Sequence, residues 1–183
     1  SSITGRYTDY GRMIEETKPD IVHAYMPPHH LYDVVAGVID RGCHVVIEKP
    51  PALTTEQVRQ MAKLARRQGV VTAVTFQRRY SPLLRHGKAW CEANGGAVHT
   101  AHSCFYKNWV GAEPYYAGAI DMLTADGIHA VDTLRWMCDG EVESVAADSR
   151  RLDAEHWNLH LALVRFSSGA TGVLLNNFMA GRR

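Results

Sequence analysis

No apolar stretch in the 183 residues approaches the roughly 20 needed to span a bilayer, which excludes a membrane-crossing helix from the reading. The opening residues, Ser1-Ser2-Ile3-Thr4-Gly5-Arg6, lack an apolar h-region and do not read as a signal peptide. An excess of one charge is also missing. Twenty Lys and Arg face 19 Asp and Glu, both signs interspersed, so nothing marks a nucleic-acid or membrane-surface partner. The four cysteines, Cys43, Cys91, Cys104 and Cys138, form no Cys-x-x-Cys pair. They read as reduced thiols of a cytoplasmic protein rather than a disulfide framework. No metal is expected. On a strand, His156 and His160 share a face but stand about 13 Å apart, and His99 and His102 point to opposite faces. Internal repeats, low-complexity segments and a Gly-x-Gly-x-x-Gly turn are all absent.

What is present is a core-forming composition: 46% hydrophobic and 21% charged residues, enough for one ordinary domain or two small ones. Asp9 caps a short helix over residues 9–18, ended by Pro19. Asp20 to Met26 is an apolar run stopped by Pro27-Pro28, as a buried strand and tight turn would be. From His30 to Arg41 the positions Leu31, Val34, Val35, Val38 and Ile39 follow helical spacing, and Gly42 is a natural stop. Cys43 to Ile47 is the next strand. Thr54 or Thr55 opens a helix carrying Val58, Met61, Leu64 and Ala65 on one face and ending at Gly69, and Val70 to Phe76 is a third strand. Strand, helix, strand, helix, strand with short connections predicts parallel right-handed crossovers, half of a doubly wound sheet.

Beyond Phe76 the pattern changes. An amphipathic segment, Tyr80 to Ala93, precedes a turn at Asn94-Gly95-Gly96 and a strand from Ala97 to Lys107. Leu123 to Cys138 is helical. Strands follow at Val142 to Arg151, Leu159 to Ser167 and Ala170 to Phe178, the last two joined by a hairpin turn at Ser168-Gly169. Successive strands without helices predict a second, mostly antiparallel sheet. The boundary falls near residues 78–82, giving domains of 1–80 and 81–183. Trp90, Trp136 and Trp157 read most simply as core.

The stretch Val46-Ile47-Glu48-Lys49-Pro50-Pro51-Ala52 concentrates the chemistry. Ligands of a parallel sheet bind at the carboxyl ends of its strands. A lysine fixed there between an acid and a proline is either a reactive group or a surface residue that ends a strand. His129 has two readings as well, a satisfied core histidine or a functional one that Asp132, three residues on, would orient.

Five segments resemble, in order, the glucose–fructose oxidoreductase and inositol dehydrogenase (Gfo/Idh/MocA) family of NAD(P)-dependent oxidoreductases. They are Tyr7-Thr8-Asp9-Tyr10; Asp20-Ile21-Val22 leading to Pro27-Pro28-His29; Glu48-Lys49-Pro50; Phe76-Gln77-Arg78-Arg79-Tyr80-Ser81-Pro82; and Gly127-Ile128-His129-Ala130-Val131-Asp132-Thr133-Leu134-Arg135-Trp136. The resemblance implies an α/β fold: a partial Rossmann domain, doubly wound and parallel, then an α/β domain with a mostly antiparallel open sheet. It also implies that the glycine-rich first unit lies before residue 1 and the last strands lie after residue 183.

It assigns Lys49 and His129, with Asp126, to catalysis. Pro27, Pro28, Glu48, Lys49 and Gln77 are assigned to NAD or NADP, and Asp132 to the substrate side. Arg79 is expected either to reach substrate or to form a structural ion pair; Trp109, read as core or cleft, and Tyr116 lie on a Gly/Pro-flanked loop that could line a sugar site. One departure concerns the carboxylate that relatives commonly carry four residues before the histidine. That position is Ala125, and Asp126, one residue on, is rotated by about 100° on an α-helix. The implied activity is hydride transfer between NAD(P) and a sugar, polyol or related secondary alcohol, in a homodimer or homotetramer joined through the C-terminal sheet. The competing expectation is a non-catalytic relative serving as ligand sensor or scaffold.

Overall fold

A computed structural model describes residues 5–108 and 120–181, which divide into two compact units, 1–75 and 76–183. In the first, helix α1 (Tyr10–Thr17) leads to β1 (Ile21–Ala24), α2 (Pro28–Asp40), β2 (His44–Ile47), α3 (Thr55–Gln68) and β3 (Thr72–Val74). The three strands pair in parallel in the order β1-β2-β3, with Ala24 opposite Ile47 and Ile47 opposite Val74.

Local chemistry explains each boundary. Asp9 accepts from the Arg12 amide at 2.6 Å and starts α1. Pro27 and Pro28 set the first turn of α2, where a missing N–H costs nothing. Thr54 and Gln57 form a reciprocal capping box on α3, and Gly69, at φ +67°, ends it in the left-handed region. The core forms where the apolar stripe of α2, Leu31, Val35, Val38 and Ile39, meets Val45 and Ile47 of β2 and Met61 and Ala65 of α3. Val58, expected on the buried face of α3, is exposed instead.

The second unit begins with a 3-10 turn (Gln77–Tyr80) and α4 (Pro82–Asn94). Then come β4 (Thr100–Tyr106), a π-helical turn (Leu123–Gly127) running into α5 (Ile128–Cys138), β5 (Val142–Arg150), β6 (Leu159–Phe166) and β7 (Thr171–Asn177). The sheet order is β4-β7-β6-β5. β5-β6 and β6-β7 are antiparallel and β4-β7 is parallel, so the sheet is mixed. Alternation divides the two faces. Val164, Phe166 and Leu174 pack with Ala130, Leu134 and Cys138 of α5, whereas Leu161 and Leu163, 38% and 43% exposed, lie on the other face.

Two tryptophans expected in the core are not there. Trp90 is 61% exposed on α4, a helix with no buried residue, and Trp157 is an exposed ring stacked under the Arg151 guanidinium at 4.6 Å. Trp90 lies on a helix none of whose residues is buried, and Trp157 lies in the irregular stretch between β5 and β6. Among the described residues no helix is long and apolar enough to cross a membrane.

Candidate functional site

In the first unit, parallel pairing brings the carboxyl ends of β1, β2 and β3 to one edge of the sheet. Pro27 and Pro28 leave from β1, and Glu48 and Lys49 from β2. The backbone there is fixed on both sides: the Glu48 amide donates to the Ala24 carbonyl at 3.1 Å, and the Thr75 amide donates to the Ile47 carbonyl at 2.9 Å. The Thr75 hydroxyl also donates to the Glu48 carboxylate at 3.1 Å. Glu48 is thus a tethered side chain that closes the β2–β3 end. Lys49 follows, half-buried, and its peptide bond to the buried Pro50 is cis. Thr75 was not legible as a site residue. Its only sequence signal is its place at the carboxyl end of a strand, directly before Phe76-Gln77.

In the second unit, the described site residues gather around the start of α5. His129 is 7% exposed and meets the edge of the Phe76 ring at 6.3 Å between centroids, nearly perpendicular. Its backbone carbonyl accepts from the Thr133 hydroxyl at 2.7 Å. Asp132, also buried, is gripped by both prongs of a guanidinium fork: Arg79 Nε donates to Oδ2 at 2.8 Å, and Nη2 donates to Oδ1. A bidentate pair of this kind is geometrically specific. The bond to Asp132 raises the pKa of Arg79 further above its already high value, with burial opposing it. Arg79 and Asp132 are therefore bound to each other across 53 positions of sequence, the ion-pair alternative expected for the arginine. Gln77 is exposed in the 3-10 turn.

Asp126 lies within the π-helical turn, so the 3.6-residue spacing used to place it does not apply. Its carboxylate pairs with Lys107 Nζ at 2.5 Å, just past the end of β4. Ala125, beside it, is buried and carries no functional group. Lys107 was not singled out in the sequence, where the only sign of it is a cation ending an otherwise uncharged strand. Trp109 and Tyr116 lie outside the described residues.

What this unit can do chemically is hold a buried imidazole beside an aromatic edge, with one carboxylate tied to Arg79 and another to Lys107. In the first unit, a half-buried lysine sits at a strand end whose neighbouring acid is tethered.

Comparison with known proteins places these features. Residues 2–76 match the family described as an oxidoreductase family with an NAD-binding Rossmann fold, and residues 89–183 match its GFO/IDH/MocA C-terminal domain. D-glucoside 3-dehydrogenase of Escherichia coli K12 is 39% identical over 75 residues, 41% of this chain and 21% of that protein. The rhizopine catabolism protein MocA of Rhizobium meliloti is 31% identical over 144 residues, 74% of this chain and 43% of that one. Among solved structures, GenD2 from gentamicin A biosynthesis, in complex with NAD, superposes with a TM-score of 0.82 at 25% identity over 97% of this chain and 53% of its own. The chain spans about half or less of the length of these proteins. The two matched domains lie in the order the fold displays, and the chain belongs to the Gfo/Idh/MocA family of oxidoreductases.

Proposed function

We propose that the protein is an NAD(P)-dependent dehydrogenase that oxidises a secondary alcohol of a sugar, polyol or related small molecule. The observation that carries this reading is the tethered strand end at Ile47-Glu48-Lys49, within a chain of this family. It holds a lysine at the edge where open parallel sheets bind their ligands. The residues present fit a dinucleotide's nicotinamide end. The Pro27-Pro28 backbone offers a narrow, rigid wall, and Glu48 is held in place by Thr75. When bound, the cofactor supplies the hydride acceptor.

The chain's own residues handle the proton. An alcohol losing hydride must also lose its hydroxyl proton, and Lys49 Nζ and the His129 ring are the groups assigned to hold and pass it. Proton transfer at ordinary pH calls for groups that take up and release a proton near neutrality. Histidine titrates there already. Asp126, with Lys107 as its counter-ion, supplies the carboxylate that Ala125 does not. Arg79 and Asp132, locked together, shape the substrate side as a unit.

The open sheet face bearing Leu161 and Leu163 is the surface through which we infer assembly into homodimers or homotetramers. The D-glucoside 3-dehydrogenase among the relatives supports a carbohydrate-like substrate class. The test is cofactor reduction with a panel of inositols, glycosides and sugar acids, using NAD+ and NADP+ separately. Turnover with at least one polyol is expected; cofactor binding without turnover on any of them would favour the second reading. That reading, a ligand sensor or scaffold, is favoured by one feature, the buried Ala125 where relatives commonly place a carboxylate.

A further inference from the structure

Within the second unit, a fully buried carboxamide lies against the turn that leads into His129. Asn176 of β7 is 0% exposed, and neither its Nδ2 nor its Oδ1 has a hydrogen-bond partner among the described residues. It faces α5, on the same side of the sheet as Leu174. Directly opposite it on β6 stands His160, also buried, which is held by Ser149 through Nδ1 at 3.0 Å. The Nε2 of His160 is likewise without a partner among the described residues. On its other side the amide meets Gly127: a Cβ added there would lie 2.6 Å from Asn176 Nδ2 and 3.3 Å from its Cγ. Gly127 closes the π-helical turn and stands two residues before His129.

A buried amide with unmet hydrogen bonds lowers stability and calls for an explanation. A leucine of nearly the same shape would remove that cost, so packing alone does not account for an asparagine here. A π-helical turn departs from the regular ladder and depends on its surroundings to keep its form; such turns are frequent at functional sites. The glycine at position 127 lets strand β7 approach close enough for the amide to touch that turn.

We propose that Asn176 is a positioning residue for His129: its carboxamide, wedged against Gly127 and backed by the Ser149–His160 pair, fixes the π-helical turn that sets the direction of the His129 ring. This rests on the reading of His129 as a proton-handling group, and it deepens that reading by naming what aims it. The amide acts through the turn and touches neither substrate nor cofactor.

The test uses the intact protein with Asn176→Leu, Asn176→Ser, Gly127→Ala and the double variant Gly127→Ala/Asn176→Ser. The first readout is the titration of the His129 ring followed by NMR; the second is kcat and KM on whichever polyol the parent turns over. Asn176→Leu is expected to keep or raise the melting temperature. It should still displace the His129 midpoint by about half a pH unit or more and lower kcat about 10- to 100-fold with KM little changed. Gly127→Ala is expected to displace the midpoint through the steric clash, and the double variant to return it toward the parent value. Should Asn176→Leu not fold, Asn176→Ser carries the same comparison with a smaller displacement. If the parent turns over no substrate, the activity reading fails on its own, and the NMR titration still decides the positioning role. The proposal is overturned if the His129 midpoint in Asn176→Leu or Asn176→Ser and in Gly127→Ala matches the parent while only melting temperatures change.

Discussion

The two units solve the same problem, covering a sheet, with different completeness. In the first, helices α2 and α3 lie on one sheet layer and bury a continuous stripe; Leu31, Val35, Val38 and Ile39 are fully enclosed. In the second, one helix covers one face of four strands, and every residue of β5 is exposed. In the first unit each helix is begun and ended by an identifiable residue. The second is irregular where it carries chemistry: a 3-10 turn holds Arg79, and a π-helical turn holds Asp126. Regular structure supplies the frame, and the departures from it place the polar side chains.

Substitutions sharpen this contrast. The largest effect is expected at the irregular end. His129→Ala should lower kcat by about 10²- to 10⁴-fold, the range of a lost general acid–base group. Its melting temperature should change far less than its rate, and steady-state kinetics alongside calorimetry would check this. Next comes the core of the first unit, where Leu31→Ala should cost about 2–5 kcal/mol by chemical denaturation. The same change at Leu161, on the open face of the second unit, should stay within about 0.5 kcal/mol in the monomer. Equal losses at both positions would erase the distinction. Thr54→Ala removes one half of the capping box on α3 and should cost about 1 kcal/mol.

The smallest effect is expected from pH, through His160 of the second unit. Burial holds the pKa of His160 below its ordinary value of 6.5, with the Asp121 charge and a backbone bond at Trp157 opposing the shift. A depressed histidine binds fewer protons folded than unfolded. Its share of stability is therefore intact above about pH 6.5 and is lost as pH falls below that toward the folded value. His160→Gln should flatten that part of the stability–pH curve; an unchanged slope would show that His160 is not its source.

The same contrast explains how much was legible in the sequence. Helices α1, α2 and α3 were readable because Asp9, Gly42, Thr54 and Gly69 act locally, within a few residues of the ends they set. Some strand ends, at Ile47, Val142 and Leu159, fall where expected, and others drifted by up to three residues. Tyr25 and Met26 continue the run of β1, and only pairing with β2 decides where the ladder stops. The parallel β4–β7 pair joins segments about 70 positions apart and left no local mark. Lys49 and His129 stood out because each lies in a short motif. The partners Thr75 and Lys107, the Arg79–Asp132 pair and the Asn176 amide did not, because each contact joins residues distant in sequence. The π-helical turn escaped because a 3.6-residue period carries no sign of a wider one. Trp90 and Trp157 show the reverse error, since bulk alone does not bury a ring: both stay exposed at 61% and 46%.

The most direct test of the account compares the parent chain with Lys49→Ala for NAD(P)H binding by fluorescence and for reduction of NAD(P)+ by a polyol substrate. The account predicts that the parent does both and that Lys49→Ala still binds cofactor while turnover drops by at least about 100-fold. Turnover retained in Lys49→Ala would contradict it.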